Sequence, residues 1–158
     1  MSASATSTSS AARLPRPCSF LTQTIAAQIT GDTRITNQAT NVTETEYGYV
    51  ACIFADTKEE ANSVEVQIKR VSGGVGPSAL RGAAAFFSAG EPVQSFQTFP
   101  VVGVGDNALG DTTPGVVFIV FASADLLVYV GADSASVSAA SLRASVENLA
   151  EEVAPALS

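Results

Sequence analysis

The stretch Gly103-Val-Gly-Asp-Asn-Ala-Leu-Gly-Asp111 gathers the chain's best candidates for binding a hard cation: Asp106, Asn107 and Asp111 offer oxygen ligands beside glycines that leave backbone carbonyls accessible. Their spacing matches no EF-hand loop. Asp and Asn in glycine-rich segments more commonly satisfy backbone donors in tight turns. The expectation for Gly103, Gly105, Asp106, Asn107 and Asp111 is therefore a turn-forming loop that holds no metal.

Other reactive constellations fail on residue type. Histidine is absent, which removes imidazole as general base, triad member or zinc ligand. A nucleophilic serine would need another base, and no Ser-x-x-Lys pair occurs. Glu59–Glu60 and Glu151–Glu152 are sequence neighbours, and such solvated pairs do not form an acid/base couple tuned by burial. Gly73, Gly74 and Gly76 precede a helix start, as a phosphate loop would, but no Gly-Lys-Ser/Thr follows and the first cation after the glycines is Arg81. Linker glycine is the better reading. Asn41-Val-Thr43 has the form of a glycosylation sequon, a pattern short enough to arise by chance. The aromatic pairs Tyr47/Tyr49 and Phe86/Phe87 could line an apolar groove, although such residues more often cover a sheet. The chain is expected to be no enzyme and to need no cofactor.

The charge balance narrows the partners. A net charge of −7 with Lys58 and Lys69 as the only lysines provides no basic face. Nucleic acid and direct peripheral membrane binding lose their electrostatic driver. Apolar residues make up 46% of the 158 and charged residues 15%, which suits a folded domain rather than a polyelectrolyte. No run of eighteen apolar residues occurs.

The elements that must position these residues read as follows. Residues 1–14, rich in Ser, Ala and Thr, form a disordered tether, and residues 15–158 form one domain. Ser19 caps a helix with Leu21, Ile25 and Ile29 on one face, and Gly31 ends it. Residues 32–44 read as an irregular or edge-strand crossover. Tyr47–Phe54 and Val64–Lys69 alternate as two strands of a hairpin. Ser78–Ser88 forms a small-residue helix with Leu80, Ala84 and Phe87 inward, stopped by Gly90 and Pro92. Phe96–Val102 is a strand that Pro100 confines to an edge. Val116–Phe121 and Leu126–Val130 form a central hairpin, and Leu142, Val146, Leu149 and Val153 mark a last helix that stops at Pro155. The fold class is α+β: an antiparallel sheet of about five to six strands with three helices packed on it.

Cys18 opens the first helix in this reading and Cys52 stands on a strand the helix can cover. A bridge between them would staple helix to sheet and place the chain in an oxidising compartment. The alternative is two unrelated buried thiols of a cytosolic protein. The first ten residues lack the basic and apolar regions of a signal peptide.

Three motifs in this order, Pro17-Cys-Ser-Phe-Leu-Thr22, Tyr49-Val-Ala-Cys-Ile-Phe54 and Val102-Gly-Val-Gly-Asp-Asn-Ala108, resemble the small secreted or lipid-anchored domains of actinobacterial cell envelopes, including mycobacterial Lpq-type lipoproteins. The resemblance covers roughly residues 15 to 157. It implies a Cys18–Cys52 disulfide, a PsbP-like α/β/α sandwich and a place outside the cytoplasm, secreted or lipid-anchored to the outer face of the cytoplasmic membrane. It supplies no catalytic residue. The expected function is a non-catalytic, membrane-tethered interaction or accessory module that docks on an envelope protein or membrane complex. The alternative is a carrier of a small apolar ligand in a pocket between sheet and helix.

Overall fold

The computed structural model describes residues 14–44, 48–58, 62–89 and 96–157. Most of the expected tether, together with Tyr47, Glu59, Glu60, Gly90 and Pro92, lies outside the described residues. Chain order runs from a 3-10 turn, Pro17–Ser19, through α1 (Gln23–Thr30), β1 (Thr36–Glu44), β2 (Tyr49–Ala55), β3 (Ser63–Arg70), α2 (Pro77–Ala89), β4 (Gln97–Pro100), β5 (Asn107–Thr113), β6 (Val116–Ser123) and β7 (Leu126–Asp133) to α3 (Ala139–Ala156). The fold is α+β, with helices on both faces of a seven-stranded antiparallel sheet ordered β1-β2-β3-β7-β6-β5-β4.

Two packed layers follow from side-chain alternation. On β3, Val64, Val66 and Ile68 are fully buried and join Leu21, Ile29, Leu142, Val146 and Leu149 beneath α1 and α3. The opposite face carries a smaller cluster, Leu80, Ala83 and Ala84 of α2 against Tyr49, Phe118, Val120 and Tyr129. Every residue of β6 is buried because both layers meet there. The β6–β7 hairpin lies at the middle of the sheet, with β7 paired to β3 over eight residues.

Seven strands replace the expected five or six: the crossover 32–44, read as irregular or as an edge strand, contains the edge strand β1, and β5 is additional. β1 is an edge strand with register shifts between Asn37 and Ala39 and between Thr40 and Val42. Those bulges interrupt the alternation by which a strand is read. β5 occupies residues assigned from sequence to a loop. Its Gly110 lies beneath Phe99, so closely that an added Cβ would stand 2.3 Å from the ring, and a close packing made by glycine leaves no apolar signature.

Two helix ends also differ from the sequence reading. Ser19 belongs to the 3-10 turn and donates to the Arg16 carbonyl, whereas the Thr22 Oγ1 accepts from the Ile25 N–H and caps α1. Cys18 accordingly precedes the first α-helix rather than opening it. Pro155 sits within the last turn of α3, which continues to Ala156; a proline so near a helix end removes a bond that the fraying last turn scarcely needs.

Candidate functional site

Cys18 and Cys52 form a disulfide with Cα atoms 5.0 Å apart. The Cys18 N–H also donates to the Asn41 side-chain oxygen at 2.9 Å, and Asn41 occupies the left-handed region, φ 54°, at the second bulge of β1. The 3-10 turn is thus fastened to both strands at one sheet edge. An intramolecular disulfide suits an oxidising compartment.

The Gly103–Asp111 residues divide between two environments. Asp106 braces the β6–β7 turn: its N–H donates to the Ala122 carbonyl at 2.8 Å, and its Oδ2 accepts from the Ala124 N–H at 2.8 Å. Ala124 has φ 53°, a strained value for an L-residue that this anchored turn holds in place. Gly105, at φ +59°, brings its backbone against the same carbonyl, where a Cβ would lie 2.3 Å from the Ala122 oxygen. Gly103 stands before this brace in the left-handed region, and Asn107 begins β5. Asp111 is elsewhere, buried in β5 opposite Phe118, with Oδ1 unpartnered. Burial pushes its carboxyl up from the ordinary value of 3.8. The structure therefore does not bring Asp111 together with Asp106, and among the described residues no group of three or more acidic or thiol side chains could hold a metal.

A polar cluster at another corner joins distant segments. Asp32 accepts from the Arg34 N–H at 2.9 Å and from the Asn62 amide at 2.9 Å, while the Asn62 oxygen accepts from the Ala135 N–H at 2.9 Å. Arg34 reaches Asp56 Oδ2 at 3.2 Å. The hydrogen bond shared with the Asp56 carboxyl, then those from Arg34 and Asn62, bring Asp32 down to about 2, burial opposing. Every one of these groups fastens a turn to its neighbour. The cluster reads as a structural lock between the end of α1, the β2–β3 loop and the β7–α3 loop.

A groove of about 280 Å³ lies between α2 and the sheet, lined by Tyr49, Lys69, Val71, Ala79, Gly82, Ala83, Phe86 and Leu127. The antiparallel register sets Lys69 of β3 directly opposite Leu127 of β7, on the face where Tyr49 packs. The Lys69 Nζ lies 5.4 Å from the Tyr49 ring centroid. The half-buried Phe87 packs against Tyr49, Phe118 and Tyr129. Its neighbour Phe86 remains 42% exposed at the groove wall. Of the two aromatic pairs read from the sequence, Tyr49 and Phe86 line the groove and Phe87 covers the sheet.

Gly82 and Lys69 were not legible as groove residues. The available signal was a glycine within the alanine-rich helix Pro77–Ala89 and a lysine on the strand face opposite Val64, Val66 and Ile68. Among the described residues, no helix is long and apolar enough to cross a membrane. No family model, curated protein or solved structure matches the chain.

Proposed function

We propose that the chain is a non-catalytic binding domain of the cell envelope, placed outside the cytoplasm, that carries a small apolar ligand in the groove between α2 and the sheet. Gly82 carries the reading. Glycine in a helix interior costs about 1 kcal/mol relative to alanine, yet a Cβ at Gly82 would meet nothing within 4 Å. Neither packing nor backbone conformation requires glycine there. Its consequence is an open groove, and stability is given up where the ligand would sit.

The disulfide supports the oxidising compartment, and the envelope resemblance suggests the finer placement: secreted or lipid-anchored, with residues 1–14 as tether. Docking on a larger envelope protein has less support. The exposed large apolar residues among those described, Val42, Phe86 and Val102, belong to β1, to α2 and to the segment after β4. Separate residues of this kind do not make the contiguous patch that marks an interface.

Titration calorimetry with octan-1-ol tests the carrier reading against a variant that fills the groove. The wild type is expected to bind, and Gly82→Leu to abolish binding while its Tm stays equal or rises. Equal binding by the variant, or none by the wild type, would refute the assignment.

A further inference from the structure

We infer that the groove selects a short, single-chain amphiphile with an anionic head, a medium-chain carboxylate being the simplest example, whose head pairs with Lys69. The inference rests on the reading of the groove as a binding site and specifies its ligand class.

Size limits the apolar body. A groove of about 280 Å³ lies at the small end of the range for drug-sized ligands, about 300–1,000 Å³. That suits one short chain and excludes a two-tailed lipid held entirely inside. The walls supply matching chemistry: Val71, Ala79, Ala83 and Leu127 are aliphatic, and Tyr49 and Phe86 present rings.

Lys69 sets the sign of the head. Among the described residues it is the only charged one lining the groove, and no carboxylate there pairs with it. Aromatic rings beside an acidic protein could instead suggest a cage for a cationic ligand. Lys69 already occupies the face of the Tyr49 ring, so a second cation there would be repelled. A carboxylate would gain a charge-assisted hydrogen bond from the ammonium while leaving the cation–π contact in place. Burial pushes the Tyr49 phenol up to about 12, so it remains neutral beside an anion. The chain's net charge of −7 disfavours anions at long range; the selectivity must therefore arise at contact, within a Debye length of about 8 Å.

Calorimetric titrations of the full chain with octanoate, octan-1-ol and octylammonium, repeated on Lys69→Met, distinguish the head groups. Methionine keeps an unbranched apolar side chain and removes the charge. The expected order is octanoate tightest and octylammonium weakest. Lys69→Met should weaken octanoate about tenfold and leave octan-1-ol within about twofold. If octan-1-ol bound as tightly as octanoate, or octylammonium bound best, the head-group inference would fall and the carrier reading would stand. If the variant retained full octanoate affinity, Lys69 would have no part in recognition. Absence of binding by all the probes would overturn both readings.

Discussion

Phe87 of α2 stacks on Tyr129 of β7 with ring centroids 3.9 Å apart and planes inclined by 27°. Tyr49 approaches the same phenyl edge-on at 5.4 Å, so one side chain holds the helix to β7 and β2 together. Small residues then separate the helix from the sheet beside that anchor: Ala79, Gly82 and Ala83 all line the groove. Anchor and groove are two aspects of one arrangement, with a bulky side chain at one position and short ones a turn away.

Phe87→Ala should therefore loosen α2 more than Phe86→Ala does. Loss of the half-buried ring and its aromatic contacts is expected to cost about 2–3 kcal/mol, whereas truncating the more exposed neighbour should cost under about 1 kcal/mol. Urea unfolding of the two variants measures the difference. Equal losses would show that the stack does not fix the helix.

The disulfide makes a second prediction. It closes a separation of 34 residues, for which the chain-entropy account gives about 4 kcal/mol. Cys18→Ser with Cys52→Ser should lower the free energy of unfolding by an amount of that order, with the sheet signal in circular dichroism preserved. The apolar contacts of Leu21 and Phe54 remain to hold the segment. Intact mass after alkylation without reductant should show no added groups on the folded wild type; two adducts would refute the bond and remove the argument for an oxidising compartment.

Much of this architecture was legible where periodicity and burial coincide. Val64, Val66 and Ile68 announce β3, and the continuous apolar run from Val116 identifies a strand covered on both faces. Legibility failed where backbone geometry replaced side-chain pattern. The bulges beside Asn41 broke the alternation of β1, and Gly110 beneath Phe99 concealed β5. The candidate site was harder still. Tyr49 and Phe86 could be named as groove aromatics, but the openness at Gly82 depends on how α2 lies over Lys69 and Leu127, a tertiary relationship with no local signature.

The lock around Asp32 should be sensitive to acid. Its carboxyl lies at about 2 in the fold against an ordinary 3.8, so the folded state holds its proton less tightly than the unfolded chain. The associated stability is present above pH 3.8 and lost as pH falls through about 2. Asp32→Asn is expected to lower Tm at pH 7 through loss of the charged acceptor and to flatten the acid limb of the stability profile. Thermal melts between pH 2 and 7 provide the comparison; parallel profiles for wild type and variant would show that Asp32 is not the group responsible.

Asp111 should behave with the opposite sign. Its burial in β5 raises the folded value above 3.8, so the favourable, protonated form prevails at low pH and the stability it gives is lost as pH rises through the raised value. At neutral pH a charge is held in the sheet with Oδ1 lacking a hydrogen-bond partner. Asp111→Asn keeps the shape and removes the charge, and is expected to stabilise the protein by about 1 kcal/mol at pH 7. Near pH 3 the gain should shrink, because the protonated carboxyl and the amide then bear the same charge. Paired urea titrations at the two pH values decide the matter: a variant less stable than wild type at pH 7 would mean that the carboxylate has a favourable partner in the fold and that its burial is not a net cost.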